Sequence, residues 1–357
     1  MDAYPMTLRH LFEAEERGDW PGVRGGEWLE EQRIRFLQTE YPESPPLSDD
    51  ESILDESDGS VLDASPTLDA DEYISIYWRK FPESGWGWRA LDDEHRVWSE
   101  NLHNWLHQYH NFKYYQAPVD EPRRVLDLRS YFGFWADDVA ISHGSAQVLG
   151  LYDGPAPETS QENCDTQRSE DFNWSAQEGY DLIHGCDLLN TVEDVGFLIR
   201  KAASALTVDG CLDLIEMPFP FVGISGDLAI DQPWAQISDE VLGFGQLIGC
   251  SFGLARGAYI DCMEAVGLLS PGERWETIPV EQIIRPVLDR ISCVLVRKYH
   301  SEGVPEDEAK AQIDEKLQVL ADQADGVGVQ LMTVWGTRST TLMERYGMRD
   351  LARKAAG

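Results

Sequence analysis

Downstream of residue 123 the chain alternates between short apolar runs and amphipathic stretches. That rhythm predicts strands separated by helices. Strands are expected over 125–128, 147–151, 180–184, 211–216, 275–279 and 329–337, and helices over 134–143, 192–206, 257–266 and 306–322. Alternation of this kind specifies an α/β fold with a parallel, doubly wound sheet. The apolar run 283–296 fits either helix or strand. Residues 73–118 are rich in aromatics and read as mostly helical, around HRVWSENLHNWLHQYHNFKYY. No internal repeat is visible.

The amino-terminal part has a different pattern. Residues 7–40 carry helix-like apolar spacing (Leu8, Leu11, Phe12, then Trp28, Leu29, Ile34, Phe36, Leu37), whereas 40–72 mix Asp and Glu with Ser and Pro and hold no Lys or Arg. A segment so poor in apolar residues cannot offset its ordering entropy. The expected organisation is a helical arm over 1–41, a disordered acidic linker over 42–71, one domain over 72–340 and a tail over 341–357. The arm has apolar residues without an obvious partner in that domain, so a dimer is expected, with a second copy or with a related protein.

Charge removes several classes of function. With 64 Asp and Glu against 29 Lys and Arg the formal charge is −35, which excludes a phosphate-binding nucleic-acid surface and disfavours an anionic membrane. The opening MDAYPMTLRHLFEAEERGDW lacks the basic and apolar regions of a secretory signal. No run approaches the roughly 18 apolar residues of a membrane span. The six cysteines form no CxxC pair and are too sparse for a disulfide scaffold. The expectation is a soluble cytoplasmic protein, with the nucleus also open.

In RRVLDLRSYFGFWADDVAISHGSAQVLGLYD a strand ends in an acid, a tight loop opens a helix, and a second strand follows about twenty residues on. Then YDLIHGCDLLNTVEDVGFLIRKAASALTVDGCLDLIEM gives strand, loop, long helix and strand again. This run resembles the class I S-adenosylmethionine (SAM) methyltransferases, and more narrowly the LaeA-type methyltransferases of fungal secondary metabolism. The lead-in before residue 123 and the closing VQLMTVWGTRS are similar to that family too. The resemblance implies a Rossmann-like, seven-stranded class I methyltransferase fold. It assigns SAM contacts to Asp127, Gly133, Asp153, Asp165 and Trp174.

Three positions depart from the family pattern. Its D-x-G-x-G-x-G loop reads DLRSYFG here, with Arg129 and Tyr131 in the first two glycine positions, and Tyr152 stands where an acid meets the ribose. Side chains at the glycine positions strain the loop and crowd the cofactor. A degraded SAM site follows, and with it a fold retained for other chemistry on an apolar small molecule, such as a cyclisation or an isomerisation. Active SAM-dependent methyl transfer and a non-catalytic subunit are the alternatives.

His184, at the end of the fourth strand, is a candidate general base because an imidazole titrates near working pH. Glu216, ending the fifth, is the second candidate. Cys186 and the aromatics Phe219, Phe221 and Trp234, in a Pro- and Gly-rich connection, are expected to line and cover the substrate pocket. His103, His107 and His110 share a helix face. Without an H-E-x-x-H pattern or a nearby cysteine they are read as packing, and no metal is expected.

Overall fold

The computed structural model describes residues 73–82, 89–130, 132–152, 156–157, 159–174, 179–188, 195–226, 228–247 and 252–338, all within a unit running from Ala70 to Gly357. The arm, the linker, the tail, Tyr131 and Asp153 lie outside the described residues.

A hairpin, β1 (Tyr73–Ile76) and β2 (Arg79–Pro82), comes first, followed by helix α1 (Asp93–Tyr109). The hairpin corrects the expectation of a mostly helical lead-in. Next come β3 (Arg124–Asp127), α2 (Phe134–Ser142), β4 (Gln147–Tyr152), β5 (Cys164–Arg168), β6 (Tyr180–Cys186), α3 (Val195–Ala205) and β7 (Leu206–Glu216). The two-residue β8 (Val222–Gly223), α4 (Pro233–Leu247), α5 (Ala258–Ala265), β9 (Leu268–Pro279), α6 (Ile284–Ser301), α7 (Glu306–Asp322) and β10 (Val327–Arg338) complete it.

The strand order is β5-β4-β3-β6-β7-β10, with β9 on the far side of β10 and the short β8 beside the start of β10. Strands β3 to β7 are mutually parallel; β10 runs antiparallel to both β7 and β9. The sheet thus has eight strands, one more than expected. The chain leaves β3 towards β4 and later crosses to β6, so the carboxyl ends of β3 and β6 flank the topological switch point, where open α/β sheets bind ligands.

Two local devices shape that opening. Gly133 takes a left-handed φ of 83° as the residue before α2, a conformation costly for a side chain. Gly150 lets the preceding loop close on β4, since a Cβ there would sit 2.6 Å from Ser130 Oγ.

The hairpin is tied to the body by charge. Arg79 donates to Asp92 Oδ2 at 2.6 Å and to Asp289 Oδ1 at 3.0 Å, and His95 Nδ1 pairs with the other oxygen of Asp289. Asp92 also caps α1, its Oδ1 accepting the His95 N–H at 2.9 Å. Arg79, His95 and Asp289 are all buried, so removing one strands the others in low dielectric.

Burial lowers the His95 pKa from the ordinary 6.5. Burial alone would raise Asp289, but His95 and Arg79 hold it below its ordinary value. Both shifts are downward, so the unfolded chain binds more protons as pH falls. Denaturant titrations should show stability declining on acidification below about 6.5. Asp289→Ala should cost about 3–5 kcal/mol at neutral pH.

Candidate active site

Strand register places three polar side chains in one row across the sheet. Asp127 of β3 is opposite His184 of β6, which is opposite Asp213 of β7. All three are buried. Asp213 Oδ1 accepts the backbone N–H groups of Gln116 and Ala117 at 2.9 and 2.8 Å, and His184 Nδ1 lies 3.1 Å from Oδ2. A carboxylate already accepting two N–H donors takes the third contact as acceptor as well, so Nδ1 carries the imidazole proton. The lone pair is thereby left on Nε2, and the His184 ring lines a cleft.

Trp135 fixes the plane of that imidazole, stacking on it at 4.0 Å with 8° between the rings. The indole N–H donates to Tyr114 O at 2.8 Å. On the other side of the row, burial raises the Asp127 pKa against the opposing pull of His184 and of the Arg129 N–H, 3.3 Å away. A carboxyl whose pKa burial raises stands beside an imidazole that offers a lone pair, and that pairing suits proton transfer.

The cleft has a volume of about 100 Å³ and opens to solvent at its mouth. Helix α1 forms one wall through Leu102, Leu106, His103 and His107, with His110 just past its end. His103 Nε2 pairs with Asp138 Oδ2 at 2.8 Å, and His107 stacks on Tyr114 at 4.1 Å. His110 is buried, its Nε2 has no hydrogen-bond partner, and burial lowers its pKa. Among the described residues the trio with donor atoms close enough to share an ion is His95, Asp289 and Cys293, within 4.8 Å. Its carboxylate is already shared by His95 and the Arg79 guanidinium, which is ion-pair chemistry.

Of the other residues singled out by sequence, Cys186 and Arg129 line the cleft. Burial pushes the Cys186 thiol up to about 12, so it is not a thiolate at neutral pH. Glu216 is off the cleft lining; fully buried, it accepts from Leu188 N and Tyr259 Oη, each at 3.0 Å. Phe219, Phe221 and Trp234 are core residues, with Phe221 edge-on to Trp234 at 4.7 Å and the Trp234 indole donating to Leu320 O at 3.0 Å.

On the nucleotide side, Tyr152 ends β4 with the Arg168 guanidinium 6.0 Å above its ring. Asp165 is exposed and second in β5, three residues short of the carboxyl end. Trp174 is half-buried and packs edge-on to Phe172 at 4.8 Å. None of these three lines the cleft. Asp153, the other candidate for the ribose, lies outside the described residues.

Asp213 and Trp135 were not singled out by sequence. Asp213 carried a signal, as the acid inside the apolar strand CLDLIEM. Removing it as Asp213→Ala strands two backbone N–H groups and the imidazole, and should cost about 3–5 kcal/mol. Asp127→Asn, which keeps the shape of a side chain whose charged form burial disfavours, should cost under about 1 kcal/mol. Chemical denaturation of the two variants measures the contrast.

No protein-family model matches the chain. The chain is 25% identical over 202 residues to the methyltransferase cpsF of Aspergillus campestris, covering 52% of this chain and 70% of that one. Among solved structures it is similar to phosphoethanolamine N-methyltransferase 2 of Haemonchus contortus, in complex with S-adenosyl-L-methionine (12% identity, TM-score 0.40, 68% of this chain and 53% of that one). It is likewise similar to the [4+2]-cyclase SpnF (13% identity, TM-score 0.37, 68% and 81%). The chain spans about half the length of the first of these structures. No helix among the described residues is long and apolar enough to cross a membrane.

Proposed function

Starting from a Rossmann-like, class I methyltransferase-like fold, we propose that this chain rearranges a small, largely apolar molecule by proton transfer and does not methylate it. The observation that carries the reading is the Asp127–His184–Asp213 row, whose Asp127 and His184 line a cleft open to solvent. His184 Nε2 takes a proton from a carbon next to a carbonyl while Asp127 delivers its proton to the carbonyl oxygen, giving an enol. Where a second double bond is conjugated to the enol, His184 returns its proton to the far carbon of that dienol while the hydroxyl proton goes back to Asp127, which gives the shifted isomer and restores both groups. Asp213 stabilises the transient imidazolium. A cyclisation through the same enol uses the same two groups. Secondary metabolism is the setting that the LaeA-type resemblance suggests for such a substrate.

Support for the absence of methyl transfer comes from the nucleotide side. Arg129 stands on the lining in a glycine position, Tyr152 lies under Arg168, and Asp165 is at the wrong end of its strand. The open cleft favours an enzyme over a packed, non-catalytic subunit. Methyl transfer is the second reading, favoured by the curated relative's description as a methyltransferase.

Calorimetric titration of SAM and S-adenosylhomocysteine into the full chain separates the two. The expected result is no binding, or a Kd weaker than about 100 μM, equivalent to about −5.5 kcal/mol. Low-micromolar affinity would restore methyl transfer. Arg129→Gly, Tyr131→Gly and Tyr152→Asp together should raise SAM affinity, and an unchanged triple variant would mean that other residues close the site.

A further inference from the structure

One polar side chain on the cleft lining has no part in the proton transfer. His110 is 3 % exposed, and its Nε2 has no hydrogen-bond partner among the described residues. The other imidazoles of the lining are engaged, His103 with Asp138, His107 against Tyr114 and His184 with Asp213. A buried ring nitrogen without a partner costs the free protein desolvation that nothing offsets, and such atoms are nearly always satisfied.

The surroundings of His110 set what can satisfy it. Burial lowers its pKa from the ordinary 6.5, with Arg274 and His184 acting in the same direction and Asp213 and Glu276 opposing. A pKa below 6.5 leaves the imidazole neutral at pH 7, so an ion gains no charge pairing from it. In a neutral ring Nε2 is either an N–H donor or a lone-pair acceptor. A hydroxyl is donor and acceptor in one atom and pairs with both. Much of the remaining lining is apolar, through Leu102, Leu106, Phe132, Phe134 and Ile215, which suits a ligand with few polar groups.

The backbone directly after His110 is strained. Asn111 and Phe112 take left-handed φ values of 56° and 61°. Asn tolerates that region, whereas a bulky Phe there is an outlier, and the Phe112 ring is 72 % exposed. Strain of this kind gathers at ligand sites. Nε2 is shut off from solvent, so a ligand reaches it when the ring turns about its broad χ2 torsion or when this turn shifts.

We propose that His110 recognises a hydroxyl group on the uncharged small molecule that the cleft binds, through a hydrogen bond at Nε2, and so determines specificity. The proposal rests on the proton-transfer reading and deepens it: the substrate carries a hydroxyl besides the carbonyl handled by Asp127 and His184.

Phenol and toluene test it, because they are similar in size and differ by a hydroxyl. A cleft of about 100 Å³ open to solvent takes a single ring. Each is titrated into the full chain with nitrogen-15-labelled histidines, and NMR reads both affinity and the imidazole shifts. His110 signals are assigned by their loss in His110→Phe and in His110→Gln. Toluene leaves water more readily than phenol, so the informative quantity is the phenol-to-toluene affinity ratio compared between chains. His110→Phe should lower that ratio about tenfold, and His110→Gln, which keeps a donor and an acceptor, should restore most of it. In the native chain phenol should shift the His110 signals. An unchanged ratio in His110→Phe, His110 signals unmoved by phenol, or no binding of phenol would overturn the proposal. The two readings fail separately. A negative result here removes the hydroxyl contact and leaves the Asp127–His184–Asp213 row in place, whereas tight SAM binding overturns proton transfer and leaves the His110 result standing.

Discussion

The Asp213 carboxylate is the contact on which the rest of the site depends. It sits fully buried in a central strand, where an isolated charge would be expensive. Two backbone N–H groups from Gln116 and Ala117 and one imidazole N–H satisfy it. These three bonds do two jobs at once. They pin the segment that follows α1 down onto the sheet, which sets where the α1 wall of the cleft stands. They also hold the His184 imidazole on the cleft lining with its proton on Nδ1. Trp135 then locks the ring plane, and Trp135 is itself anchored to Tyr114 in the same overlying segment.

That arrangement occupies the place in the fold where a ligand is expected. The β3–β6 switch point is fixed by strand order, and Asp127 and His184 are register partners at the ends of those strands. A class I methyltransferase-like sheet uses the same opening for a nucleoside cofactor. Here the residues around it supply an acid, a base and aromatic walls. Of the positions that the resemblance assigns to the nucleotide, Tyr152 meets Arg168 and Trp174 meets Phe172. The fold thus supplies a chamber, and the side chains decide its chemistry.

The sheet was readable in the sequence wherever strands are apolar and helices amphipathic. Helix α7 begins and ends where its periodicity places it, and β3, β4 and β6 start within a residue of expectation. The misses have physical causes. Strand β5, CDTQR, is a polar edge strand without an apolar run. Helix α6 is buried around most of its circumference and is apolar through 291–296, and a short apolar run of that kind reads equally as helix or strand, so 283–296 could not be assigned. Helix α4 begins at Pro233, a residue that reads as a loop marker but is favoured in the first turn of a helix. That helix carries Trp234 inward against Phe221 and under α7, and so the aromatics expected over the pocket lie in the core. At the site, His184 and Asp127 were visible as polar strand ends. Asp213 was passed over although an acid inside an apolar strand demands a partner, and no local pattern announces Trp135, whose role depends on which strand end it meets.

The central claim is that Asp213 holds His184 with its proton on Nδ1 and its lone pair on Nε2. Nitrogen-15 NMR of histidine-labelled protein measures this directly, with the His184 signals assigned by their loss in His184→Gln. The account predicts the Nδ1-protonated tautomer in the native chain and its loss in Asp213→Asn. An Nε2-protonated His184, or a tautomer unchanged by Asp213→Asn, would contradict it.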